Sequence, residues 1–219
     1  MTGLVRKAAV LAACGVLGAT VAFAGVPSAG NSTIPGRINL VGYSIGSGLA
    51  DGGAAGATVQ VTVRDLANNP IPNSSVVLDF TGNLSDTRID DSQTYFAGLT
   101  ANCGSHSVLA LTDGAGVATL VVVGGGKAIA GAPHAVGAGK VWADGVLLGP
   151  INVGLYDQDG GSGVGGADLA RVLADFVAGT NPDRTNYDNA GAVGGADLAL
   201  WLAVFVAGNS NGSSASYCP

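Results

Sequence analysis

The sequence predicts a mainly β sandwich followed by a small α-helical module made of two loop-and-helix units. Three observations carry this reading: alternating apolar runs between turn signals from about residue 37 to 156, a 29-residue internal repeat after them, and an apolar leader before them. Charged residues make up 11% and glycine 37 of the 219 residues, the composition of a turn-rich, neutral-surfaced extracellular chain. All fifteen acidic residues are aspartates.

The leader, residues 1–24, reads as a signal peptide. Arg6 and Lys7 open it, an apolar run follows from Ala8, and Ala22-Phe23-Ala24 supplies the small-x-small cleavage pattern. Cleavage there starts the mature chain at Gly25 and predicts secretion. An alternative is a lipobox at Leu11-Ala12-Ala13-Cys14, which would anchor the protein through Cys14. The short spacing from Lys7 and the apolar sequence beyond Cys14 favour cleavage after Ala24. No later run reaches the roughly 18 apolar residues of a membrane span. Removing Arg6 and Lys7 takes the net charge from −6 to −8, which argues against nucleic acid or an anionic membrane as partner and suits a cation. With Cys14 gone, Cys103 and Cys218 remain in an oxidising compartment where a Cys103–Cys218 disulfide is permitted. The alternative leaves Cys218 in a flexible tail, residues 209–219.

Residues 31–156 carry the β pattern. In ATVQVTVRD, Ala57 to Asp65, Val59, Val61 and Val63 alternate with Gln60, Thr62 and Arg64, giving one buried and one wet face. The turn residues LANNPIP follow, then a second run from Val76 to Phe80, which implies a hairpin. Val108 to Leu111, the turn Thr112 to Gly116 and Val117 to Val123 repeat the design. Val141 to Ile151 folds around Asp144-Gly145, a favoured two-residue hairpin turn. Between these lies a Gly/Ala-rich stretch, Gly124 to Gly139, whose role is not legible. The two hairpin patterns, "ATVQVTVRDLANNPIPNSSVVLDF" and "LTDGAGVATLVV", resemble bacterial immunoglobulin-like domains of the invasin and intimin type over roughly 90 residues. The resemblance implies an immunoglobulin-like sandwich that acts as spacer or presenting stalk. The Gly-rich excursion before Val141 departs from that pattern.

Residues 157–208 hold the repeat, VGGADLARVLADFVAG from Val164 and VGGADLALWLAVFVAG from Val193, identical at thirteen of sixteen positions. Large apolar residues recur at helical spacing: Leu169, Val172, Leu173, Phe176 and Val177, then Leu198, Trp201, Leu202, Phe205 and Val206. Gly179 and Gly208 are placed as C-terminal caps. Two such helices can bury their stripes against each other. Before each lies an Asp/Gly loop. With Asp168 and Asp197 at position 12, Asp157 and Asn186 stand at position 1, Asp159 and Asp188 at position 3, and Gly163 and Ala192 at position 7, whose carbonyl would serve. Hard Ca2+ takes its oxygens from such a twelve-residue loop. An aspartate in a helix's first turn or in a glycine-rich loop is also ordinary capping and turn chemistry; the same offsets in both copies favour the metal.

This duplicated loop-then-helix unit resembles the type I dockerin module, related to EF-hands. The resemblance implies Ca2+ in both loops and docking to a cohesin-like or cell-surface protein. Gly166-Ala167 and Gly195-Ala196 stand where that family contacts its partner. The chain departs at position 5, where Gly161 and Ala190 replace an aspartate, and at position 9, where Gly165 and Gly194 replace asparagine. Ser162 can substitute in loop one. Loop one is expected to be the better site.

Nothing points to catalysis. Glutamate is absent, and His106 and His134 read as surface polar residues. Cys103, Gly104, Ser105 and His106 adjoin in sequence, whereas a nucleophile and its base normally meet in space. Trp142 and Trp201 lie in apolar stripes and read as core. Two functions follow as expectations: a non-catalytic secreted protein docking through Ca2+-ordered helices, or a self-contained structural or adhesive protein whose repeat packs on its own β-domain. The second draws on the sequence running from Ile151 to Tyr156 straight into Asp157 with no linker.

Overall fold

A computed structural model of the chain describes residues 25–45, 57–93, 98–127, 134–161, 163–179, 182–214 and 216–218. The leader with Cys14, Ser162 of loop one, Gly208 with the rest of that helix end's side chains, and the middle of the Gly/Ala-rich stretch lie outside what is described.

Strand β11, Val146–Leu155, is the longest, and the sheet grows from it. It turns back on β10, Gly139–Ala143, through the expected Asp144-Gly145 hairpin, both turn residues having positive φ (45° and 81°) as a two-residue turn of this kind demands. On the other side of β10 follow β4 (Ser75–Asp79), β7 (Ser107–Leu111) and β6 (Thr100–Asn102), all antiparallel. The outer flank of β11 takes β1, Arg37–Leu40, in parallel, with Arg37 opposite Asn152 and Leu40 opposite Leu155. The result is one curled, mixed six-stranded sheet, a half-barrel, ordered β1-β11-β10-β4-β7-β6. Two-stranded ribbons complete it: β2 (Tyr43–Ile45) with β12 (Gly212–Ser214), β3 (Thr58–Thr62) with β8 (Val117–Val121), and β5 (Thr87–Ile89) with β9 (Gly124–Gly126).

This corrects the immunoglobulin-like sandwich with an appended two-loop-helix module. The segments flanking LANNPIP do not pair with each other: β3 joins β8 while β4 joins β7 and β10, and only an Arg64–Pro70 bridge closes the turn. Likewise β7 and β8, either side of Thr112 to Gly116, go to different partners. The turns carry the chain between sheets instead of folding it back. The parallel β1–β11 pairing joins residues more than a hundred positions apart, and local alternation has no means of specifying such a partner.

The helical segment is likewise no separate module. Helix α1 spans Gly166–Ala178, a single turn α2 spans Pro182–Thr185, and α3 spans Gly195–Asn211. Gly179 caps α1 in the left-handed conformation, φ 62°, as its position in the repeat predicts. The two apolar stripes do not bury each other whole. Val172, Trp201 and Val204 are buried with Val41, Val123 and Tyr156 of the β region, whereas Leu173, Phe176, Val177, Leu202 and Val206 stay exposed. The helices cover one flank of the β structure, and that common cluster is their core. The main core, around Ile38, Leu78, Phe80, Leu120 and Val153, is all β.

Polar groups bolt the two regions together. Arg184 of α2 grips both carboxylate oxygens of Asp175 in α1 at 2.9–3.1 Å and reaches Asp86 at 3.3 Å. His134 Nδ1 lies 3.0 Å from Asp86 and its Nε2 2.6 Å from the Val153 carbonyl, so this histidine is buried, not a surface residue as the sequence suggests. Arg37 of β1 donates to the Asp183 carboxylate at 2.5 Å and to its carbonyl at 2.6 Å. The Trp201 indole N–H donates to the Tyr156 carbonyl at 3.2 Å, and Tyr156 stacks on Tyr187 with centroids 4.4 Å apart. Trp201 is core as expected; Trp142 is half-buried. Cys103 and Cys218 form a disulfide, as the sequence allows, which fixes the tail to the turn before β7. Among the described residues no helix is long and apolar enough to cross a membrane.

Candidate metal centre

Asp157 sits two residues beyond the end of β11, where the strand leaves the sheet fully buried. Its carbonyl accepts from Gly126 N–H of β9 at 2.6 Å, and Gly42, in the β1–β2 turn, packs so closely on its Cβ that no side chain fits there. Its carboxylate accepts from Gly160 N–H at 2.7 Å through Oδ1 and from the Tyr217 hydroxyl at 2.5 Å through Oδ2. Gly160 reaches this position with φ 66°, which glycine adopts without strain. Asp159 is half-buried and closes a tight turn by accepting from Gly161 N–H at 2.7 Å. Asp168, in the first turn of α1, accepts from Gln158 N–H at 2.6 Å, Asp159 N–H at 2.9 Å and Gly165 N–H at 2.7 Å. It thereby caps its own helix and gathers the loop around one carboxylate.

These contacts bring one carboxylate oxygen each from Asp157, Asp159 and Asp168 within 4.8 Å of one another. The triad can hold a metal ion. Its donors are all oxygen, the set that suits a hard divalent cation and not a thiolate- or imidazole-seeking one. The electrostatics agree. Burial pushes the Asp157 carboxyl up to about 7, with the neighbouring Asp168 charge adding and the Tyr217 hydrogen bond opposing. Burial also raises Asp168, against the hydrogen bond from Gly165. Clustered buried carboxylates are costly as free anions, and a bound cation relieves that cost.

Loop two repeats the scaffold with less charge. Ala190 N–H donates to Asp188 at 2.8 Å, Gly194 N–H to Asp197 at 2.7 Å and Asp188 N–H to Asp197 at 3.2 Å, the same bonds displaced by one repeat. Asn189, φ 59°, takes the place of Gly160. At position 1, Asn186 turns its amide nitrogen onto the Gly191 carbonyl at 2.9 Å and leaves its buried Oδ1 without a hydrogen-bond partner. Asp188 is exposed and Asp197 buried. Of the position-7 residues, Gly163 is buried with φ 94° and Ala192 is exposed. Gly166, Ala167, Gly195 and Ala196 are all exposed in the first turns of α1 and α3.

Sequence reasoning missed Tyr217, because nothing local ties a tail tyrosine to a loop sixty residues earlier. It also missed the Asp86–Arg184–Asp175 cluster; the aspartate that α1 carries where α3 has Val204 was the available signal. No family model, curated protein or solved structure matches the chain.

Proposed function

We propose that this is a secreted, non-catalytic structural protein in which Ca2+, held by Asp157, Asp159 and Asp168, fastens the helical segment to the β structure. The carrying observation is the anchorage of the triad: Asp157 is continuous with β11, Asp168 opens α1, and the helices share their core with β residues. A cation between these carboxylates ties strand, helix and tail at one point. The Gly163 carbonyl and water complete the shell where Gly161 supplies no side chain. Ca2+ is favoured over Mg2+ because three carboxylates with a loop carbonyl suit an ion that takes about six to eight oxygens in irregular geometry, whereas Mg2+ demands a near-ideal octahedron and keeps most of its waters. Differential scanning calorimetry of the full chain tests this: the unfolding temperature rises with millimolar Ca2+ and returns with chelator, since a ligand that binds only the folded state stabilises it. No response to millimolar Ca2+ rejects the reading.

A second reading, docking to a cohesin-like or cell-surface protein, has its own support. Val172, Leu173, Phe176, Val193, Gly194 and Leu198 line an open apolar groove between α1 and the start of α3, beside the exposed Gly166-Ala167 and Gly195-Ala196. Capture of a surface protein from the host, lost on chelation, supports docking; a monomer that captures nothing with Ca2+ present leaves the structural reading alone.

A further inference from the structure

We infer that Tyr217, pinned by the Cys103–Cys218 disulfide, is a positioning residue of the cation site, so that the C-terminal tail is part of the metal centre. This rests on the Ca2+ reading of the Asp157–Asp159–Asp168 loop. The tail is fixed on both sides of the tyrosine. Ser216 N–H donates to Asp90 Oδ2 at 2.7 Å and its carbonyl accepts from Asp91 N–H at 2.8 Å; Cys218 N–H donates to the Ile89 carbonyl at 2.8 Å, and its sulfur is bonded to Cys103. Between these anchors Tyr217 forms an isolated antiparallel bridge with Asp90, just beyond β5, and aims its hydroxyl at Asp157 Oδ2, 2.5 Å away. Gly125 of β9 makes the approach possible, since a Cβ there would overlap both the hydroxyl and the Asp157 carbonyl.

An ionised carboxylate offers about four acceptor sites. Gly160 and Tyr217 occupy one on each oxygen of Asp157, which leaves the remainder free to ligate while both hydrogen bonds lock the carboxylate plane. Fixing a ligand from its outer side is how second-layer groups raise metal affinity. The disulfide matters because, beyond the β12–β2 pairing, the other attachments of Ser216 and Cys218 are hydrogen bonds, each contributing only about 1 kcal/mol.

The test compares Ca2+ binding by calorimetry for the full chain, Tyr217→Phe, Cys103→Ser/Cys218→Ser and the triple variant, with unfolding of each metal-free protein measured in chelator. Tyr217→Phe keeps the ring and removes only the donor. The expected result is a ten- to hundredfold loss of affinity, the range for outer-layer partners, in Tyr217→Phe, a comparable loss in the cysteine pair variant, and no further loss in the triple variant. Unchanged affinity in Tyr217→Phe, even with a lowered metal-free unfolding temperature, gives the tyrosine a purely structural role and overturns the inference while leaving the Ca2+ site intact. Multiplying losses in the triple variant overturn the link through the disulfide. A wild-type chain silent to Ca2+ removes the cation reading itself and this inference with it.

Discussion

The two copies of the repeat are identical at thirteen of sixteen positions, yet they occupy different surroundings. Two of the three differences, Val172 against Trp201 and Asp175 against Val204, fall at positions buried in both copies. In α1, Asp175 faces Arg184 and a buried ionic cluster; in α3, Trp201 sends its indole N–H to the Tyr156 carbonyl. The exposed pairs, Leu173 with Leu202 and Val177 with Val206, are the same residues. The copies therefore differ where each meets the β structure, because that structure has no internal twofold to match them. The loops diverge likewise: the first has a strand before Asp157 and the tail tyrosine above it, the second begins at half-exposed Asn186.

The largest effect should come from those buried differences. Asp175→Ala leaves Arg184 buried with its bidentate partner gone and should destabilise the protein by about 3–5 kcal/mol in urea unfolding; Trp201→Ala should lose a similar ~3–5 kcal/mol through the cavity. Asp175→Val installs the residue that α3 carries and should be no milder, since the arginine keeps only its single contact with Asp86 at 3.3 Å. A loss under about 1 kcal/mol for Asp175→Val would show that the ionic contact is not what distinguishes α1.

Next are the loops. Asp157→Asn converts loop one to the position-1 chemistry of loop two and should weaken Ca2+ binding at least about tenfold, ~1.4 kcal/mol, whereas Asn186→Asp should strengthen loop two. Calorimetry reads both, and an equal loss from Asp157→Asn and Asp188→Asn would erase the asymmetry between the loops.

Proton competition sharpens the same contrast. Asp157 titrates near 7 in the folded protein and near 3.9 when unfolded. Without metal, the fold keeps a proton that the unfolded chain releases between about pH 4 and 7. That contribution is complete below about pH 4 and lost as pH rises through 7. Ca2+ must displace the proton, so affinity should climb about tenfold per pH unit from 5 to 7 and then level off. A flat affinity over this range would contradict the burial of Asp157.

The smallest effect belongs to the exposed apolar face of α1, where Phe176 is half exposed while its counterpart Phe205 stacks on Trp201. Phe176→Ser should alter stability by less than about 0.5 kcal/mol in urea, while abolishing capture of a surface partner if the groove docks one. A large loss of stability would mean that this face is packed against something in the protein itself.

Much of the local structure was legible in advance. Alternation in ATVQVTVRD marked β3, Asp144-Gly145 marked the β10–β11 hairpin, and the repeat marked α1, α3 and Gly179 as a cap, because each depends on residues a few positions apart. The spacing of Asp157, Asp159 and Asp168 also pointed to the triad, since a short loop leading into a helix keeps its own members close. What the sequence left open were choices among distant partners with similar faces. Apolar β1 could pair with many strands; packing selected β11, in parallel. Apolar helix stripes could meet each other; the β flank around Val41 and Tyr156 took part of each instead. Asp86, His134 and the Asp175–Arg184 pair lie far apart in sequence and became one cluster only when α2 settled beside β11, where buried charges must find partners. Local rules set the elements and the loop that can hold a cation; tertiary packing decided which strands pair and that a tail tyrosine reaches Asp157.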